Sequence, residues 1–206
     1  MFGLLIVALA YLLGSIPFGY VIVRASKHAD IRETGSGGTG ATNVSRRAGK
    51  GAGVLTLLLD ALKGAASILV ARLLLAEPAF SAKASWWIAA AAVAVIVGHI
   101  FPVWLGFRGG KGVATGVGVF LVLAPLAVAF AGVIFLVIVL LTRYVSLGSI
   151  VAAATIPLFV VIRNYITPDA EFAPLLSGAV AGTALIIFAH RGNIERLIKR
   201  TESRFR

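Results

Sequence analysis

Apolar residues fall in seven long runs, at roughly 2–23, 51–76, 86–104, 113–124, 126–142, 145–162 and 174–189. Turn formers or charges interrupt them: Pro78, the RGGKG of 108–112, Pro125, the TRY of 142–144 and the RNYITPDAE of 163–171. A hydrocarbon core about 30 Å thick is crossed by about 20 apolar residues at about 1.5 Å each, so the runs predict membrane-crossing helices. The fourth and fifth runs are short. Residues 113–142 read either as two helices parted at Pro125 or as one helix of about 30 residues.

The basic residues decide between these readings. With a break at Pro125, one side receives Arg24, Lys27, Arg32, Arg46, Arg47 and Lys50, then Arg108, Lys111 and Arg143, then the basic tail from Arg191 to Arg206. The other side keeps Arg72, Lys83 and Arg163, with Lys63 at mid-depth. One long helix would throw the tail to the far side, against the positive-inside bias. The expected fold class is therefore an all-α integral membrane protein, a polytopic bundle of seven transmembrane helices with its N-terminus out and C-terminus cytoplasmic. All the unusual polar segments then meet one face.

Composition agrees. Of 206 residues, 59% are apolar and 13% charged, which fits a membrane bundle and leaves no stretch for a second domain; residues 1–206 read as a single domain. The first 23 residues lack a basic leader and a small-residue cleavage site, so they read as a retained span. The net charge of +11 follows from cytoplasmic loops and does not point to nucleic acid. There is no cysteine, and His28, His99 and His190 lie far apart. No metal or cofactor is expected.

Four polar segments carry candidate chemistry. In ETGSGGTGATNVSRR, residues 33–47, Gly35, Gly37, Gly38 and Gly40 alternate with Ser36, Thr39, Thr42 and Asn43 ahead of Arg46 and Arg47. Glycine frees consecutive N–H groups to face one concavity, and arginine supplies charge, a combination suited to phosphate; the plainer reading is a loop with positive-inside arginines. It is not a P-loop, because it lacks the Gly-Lys-Ser/Thr ending and follows no strand. In GHIFPVWLGFRGGKGVATG, residues 98–116, Gly109 and Gly110 precede Lys111 at a helix start, which favours an anion. His99 reads as a packed, hydrogen-bonded histidine. In RYVSLGSI, residues 143–150, Ser146 and Ser149 share a face at a helix start, where they cap it or donate to phosphate. In HRGNIERL, residues 190–197, His190 and Asn193 share a face, while Arg191, Arg196, Lys199 and Arg200 meet lipid headgroups. Within the second span, Asp60 and Lys63 read as an i,i+3 pair that orients the bundle.

These segments, with LDALKG at 59–64, resemble the bacterial acyl-phosphate:glycerol-3-phosphate acyltransferase family, the PlsY type. Five pieces match in family order across residues 35–194. The departure is Gly38, where the family usually carries Asn. The resemblance implies a bacterial inner-membrane enzyme, its active site at the cytoplasmic face, that transfers a fatty acyl group from a long-chain acyl phosphate to the 1-hydroxyl of glycerol 3-phosphate. Lysophosphatidic acid and phosphate are the products. Carried onto this chain, Ser36, Arg46, Lys111, Ser149, His190 and Asn193 are expected to hold phosphate or the reacting groups. Gly35, Gly37, Gly38, Gly40, Thr42, Asn43, Gly109 and Gly110 are expected to shape the phosphate site. The partners implied are the two substrates and membrane lipid.

The residues agree with that chemistry. An acyl phosphate is already activated, so no acyl-enzyme is required, and the chain has neither a cysteine nor a G-x-S-x-G elbow. The His-x₄-Asp pattern of other glycerolipid acyltransferases is absent too: Glu33, Trp104 and Glu195 follow the three histidines at that spacing. The competing class is a phosphate or organophosphate transporter, which would call for paired broken helices at mid-membrane.

Overall fold

The computed structural model describes residues 1–76 and 83–205; Pro78 and Arg206, invoked above, lie outside the described residues. Among the described residues every regular element is helical. Helices α1 (Phe2–Ser15) and α2 (Phe18–Lys27) lead through the glycine loop to the short α3 (Ala41–Ala48). Then come α4 (Lys50–Leu74), α5 (Ala84–Ile100), α6 (Val113–Leu123), α7 (Pro125–Thr142), α8 (Val145–Ile166) and α9 (Phe172–Ala189); α10 (Arg191–Ile198) precedes the C-terminal tail. Six stretches are long and apolar enough to cross a membrane, with α1 and α2 taken as one. At 11 residues α6 is not among them; at about 1.5 Å per residue it covers about half the hydrocarbon thickness.

All seven apolar runs are helical, and the single helix over 113–142 does not form. Ala124 (φ −148°, ψ 68°) parts α6 from α7, which starts on Pro125. Proline lacks an N–H and disfavours helical geometry in the residue before it. The same rule divides the first run, expected as one span over 2–23 and still one candidate span at Phe2–Lys27, into two helices. It breaks at Ile16–Pro17, and α2 then continues to Lys27.

Helix α5 is the axis of the bundle. It packs against α1, α4, α6 and α9, and 61% of its apolar window is buried, against 11% for α7 on the flank. Small residues permit the closest crossings. A Cβ on Gly64 would overlap the Thr115 carbonyl, and one on Gly118 would overlap that of Ala61, so α4 and α6 meet backbone to backbone. Gly178 lies against Ala89 across the α5–α9 seam. The small residues of GVGVF at 116–120 and GAVAG at 178–182 thus lie in helix seams.

At three of the proline breaks a side chain from another helix donates to a backbone carbonyl. Lys63 Nζ donates to the Ile16 carbonyl at 2.8 Å, beside Pro17. Tyr11 donates its hydroxyl to the Phe101 carbonyl at 2.9 Å, just before Pro102. Inside α8, Pro157 cannot donate to Ala153, and Thr183 of α9 supplies that bond at 2.9 Å. A bilayer interior offers no water to do this work. Thr183→Val should therefore lower stability by about 1–3 kcal/mol, the cost of an orphaned buried carbonyl. Thermal unfolding in detergent checks it, with Thr183→Ser expected to stay near the parent.

Candidate active site at the polar end of the bundle

The glycine loop between α2 and α3 is built around Asn43. Its side chain is buried, and Nδ2 donates to the carbonyls of Thr34 (3.0 Å) and Gly38 (2.9 Å), with Ile31 at 3.3 Å. Gly35 has φ +58°, and a Cβ there would overlap Asn43 Oδ1, so only glycine closes this turn. Asp30 and Arg32 brace the outer side. The Arg32 guanidinium forks onto Asp30 and also donates to the Leu105 carbonyl at 3.0 Å. Thr39 N–H reaches the Gly109 carbonyl at 3.4 Å. The two glycine loops, far apart in sequence, are thus joined.

A cleft of about 460 Å³ opens beside them, lined by Ser36, Lys111, Ala189, Arg191, Gly192, Asn193, Glu195 and Arg196. Ser36 comes from the first loop, Lys111 from the second, and the rest from the α9–α10 corner. Burial lowers the Lys111 pKa to about 8; Glu202 opposes that shift, and Arg196 and Arg46 add to it. Lys111 therefore lies within electrostatic reach of Arg46 as well.

His190 is buried at the corner itself. Its Nδ1 lies 2.8 Å from the Ile186 carbonyl. A carbonyl only accepts, so Nδ1 carries the proton and Nε2 keeps a free lone pair. Burial pushes the His190 pKa down to about 4 against the pull of Ile186 and Glu202, with Lys111 helping the fall. The imidazole is neutral at pH 7.

Glu202 is the residue the sequence reading missed. Its carboxylate accepts from Asn193 Nδ2 (2.6 Å), Ser146 Oγ (2.7 Å) and Arg196 Nε (2.7 Å). Burial alone would raise its pKa, but the three hydrogen bonds and the Arg196 charge hold it below the ordinary value. With Nδ2 committed there, Asn193 keeps Oδ1 as its free acceptor. The available signal was slight: a lone acid in the basic tail KRTESRFR.

Not every expected residue reaches the cleft. Ser36, Lys111 and Asn193 line it, and Arg46 and His190 bear on Lys111. Asn43, expected at phosphate, shapes the loop from inside. Ser149, also expected there, is buried and donates to the Val145 carbonyl at 2.9 Å; it is Ser146 that joins the Glu202 cluster. Neither serine caps α8. Gly37 turns with φ +69°, Gly40 is the N-cap of α3, and Thr42 sits in that helix's first turn. At Gly38 a Cβ would meet Ser36 Oγ and the Gly109 carbonyl only at ordinary contact distance, so a side chain fits between the loops. Lys111 precedes α6 and Ser146 follows the start of α8, yet both belong to this cluster. Helix α6 therefore leads away from the cleft and α7 returns.

Residues 4–200 match the family profile described as glycerol-3-phosphate acyltransferase. The chain belongs to that family. It is 49% identical to the glycerol-3-phosphate acyltransferase of Geobacter sulfurreducens, over 98% of this chain and 97% of that one. With the Thermosynechococcus vestitus protein of the same description it shares 45% identity, over 97% and 93%. Its fold is similar to that of PlsY (YgiH), an integral membrane glycerol 3-phosphate acyltransferase. The glycerol 3-phosphate form of PlsY gives a TM-score of 0.86 at 41% identity, over 99% of this chain and 96% of that one. The lysophosphatidic acid form gives 0.84 at 40%, over 99% and 95%. The resemblance read from the motifs is thereby shown to be membership.

The Lys111 charge should govern anion affinity in the cleft. Lys111 is cationic below its pKa, so sulfate, whose own charge is constant, should bind progressively more weakly as pH rises through about 8. Calorimetric titration from pH 7 to 9.5 checks this, and Lys111→Arg should remove the fall because a guanidinium stays charged.

Proposed function

We propose that the chain transfers a fatty acyl group from acyl phosphate to the 1-hydroxyl of glycerol 3-phosphate, giving lysophosphatidic acid and inorganic phosphate. One observation carries this reading: donors and acceptors from three distant segments meet at one cleft, in a chain that belongs to the glycerol-3-phosphate acyltransferase family. The groups are sorted by polarity. Ser36, Arg46 and Lys111 offer donors and positive charge, which suit phosphate oxygens. His190 Nε2 and Asn193 Oδ1 are acceptors, which suit alcohol hydroxyls. Glycerol 3-phosphate has one end of each kind.

The hydroxyl oxygen attacks the acyl carbonyl carbon, the carbon–oxygen bond to phosphate breaks, and phosphate leaves. A histidine titrating near 4 holds a proton less well than a phosphate, whose monoesters titrate near ~6. The hydroxyl proton therefore ends on the departing phosphate, with His190 orienting the hydroxyl. Juxtaposing the two reactants contributes about 7–11 kcal/mol and an oxyanion donor about 3–4 kcal/mol, so positioning is the larger part.

By the positive-inside bias the basic clusters support a cleft at the cytoplasmic face, as expected of a bacterial inner-membrane enzyme. Counting α6 as a crossing gives seven passes, an outer N-terminus and a cytoplasmic C-terminus. The out-and-back course of α6 and α7 supports that count. Family membership weighs against the transporter alternative. Purified protein given palmitoyl phosphate and labelled glycerol 3-phosphate, without metal, acyl-CoA or acyl carrier protein, should form lysophosphatidic acid. Arg46→Ala and Lys111→Ala should each lower the rate at least tenfold. No product from the parent protein, with uptake into vesicles instead, would overturn the assignment.

A further inference from the structure

A second polar cluster lies inside the apolar bundle and takes no part in the chemistry above. Asp60 and Lys63 of α4 pair at 2.7 Å with 2% and 4% of their side chains exposed. Lys63 Nζ also holds the Ile16 carbonyl. His99, at the inner end of α5, turns Nδ1 toward Thr115 Oγ1 of α6 at 3.1 Å and toward Asp60 Oδ1 at 3.5 Å. Helices α4 and α6 thus both meet the imidazole of α5, with Lys63 and Ile16 behind Asp60. Burying two ions at such depth is costly, and a packed apolar pair would orient the helices equally well. What the cluster adds is a fixed orientation for the His99 ring.

The other edge of that ring faces the second glycine loop. A Cβ on Gly110 would overlap His99 Nε2 and crowd both carbons beside it, so the Gly110 backbone rests on the imidazole. The main chain continues the contact: Gly110 N–H donates to the His99 carbonyl and Gly109 N–H to the Ile100 carbonyl, both at 3.1 Å. The next residue is Lys111, and Thr115, held by the same imidazole, lies in the first turn of the helix that follows it.

We infer that His99 is a positioning residue for this site: clamped by Asp60, Lys63 and Thr115, it is the seat that sets where Gly109, Gly110 and Lys111 present themselves to a phosphate group. His99 is not a base in the reaction, since Nε2 abuts buried backbone and the ring does not line the cleft. The inference rests on the transferase reading for its substrate, glycerol 3-phosphate, but the geometry of the seat does not.

A double-mutant cycle tests it, with Gly110→Ala, His99→Ala and the combination compared with the parent. Gly110→Ala should raise KM for glycerol 3-phosphate at least tenfold. In the His99→Ala background, where the clash is gone, the same change should cost less than threefold. Losses that multiply independently would overturn the inference. Thr115→Val and Thr115→Ser keep the site readable if the cycle variants do not fold. The valine keeps the volume but loses the hydroxyl; it should raise that KM at least threefold with kcat within twofold, and the serine should restore it. An unchanged KM in Thr115→Val, or a fall confined to kcat, would count against a seat. The same proteins are titrated with sulfate, which needs no turnover. A parent that binds sulfate with the predicted coupling but makes no lysophosphatidic acid would sink the transferase reading and leave the seat standing.

Discussion

The interior of a bilayer offers no water, so any backbone group or charge released there must find its partner within the protein. That constraint organises this bundle. Pro157 frees the Ala153 carbonyl, which Thr183 answers across a helix seam, and Lys63 and Tyr11 reach across other seams to the carbonyls of Ile16 and Phe101, beside the breaks at Pro17 and Pro102. Lys63 in turn needs a counter-ion, which Asp60 supplies, and Asp60 draws His99 into the same cluster. One break in the first helix thus leads, bond by bond, to the loop that carries Lys111.

At the polar end the constraint is different, because water competes for every group. The site answers by fixing which atoms remain free. Ile186 occupies the proton of His190, and Glu202 occupies the amide nitrogen of Asn193, so two acceptors are left on the α9–α10 corner. Lys111, Arg46 and Ser36 stand opposite as donors. A carboxylate that touches no expected reacting atom thereby sets the polarity of one that does.

Much of this was legible in the sequence. The apolar runs and the break at Pro125 followed from periodicity and charge sidedness, and the Asp60–Lys63 pair from its spacing. Lys111 and Asn193 were legible as cleft residues because Gly-Lys at a helix start and His-x-x-Asn at a span end are local patterns. The break at Pro17 was passed over because no charged residue flanks it to interrupt the apolar run. Asn43 and Ser149 were expected at phosphate because their side chains can donate, but both donate to nearby carbonyls instead. Glu202 escaped notice because its partners, Ser146 and Asn193, lie on different helices, and no sequence period joins them.

The account stands on one spatial claim: the first glycine loop, the RGGKG loop and the α9–α10 corner share one side of the membrane. The chain has no cysteine, so single cysteines at Arg47, Arg108 and Arg191, all exposed, report sidedness cleanly. In inverted and right-side-out vesicles, a membrane-impermeant maleimide should label all three from the cytoplasmic face alone. Labelling of any one from the opposite face would separate the cations from the acceptors, and the proposed site with them.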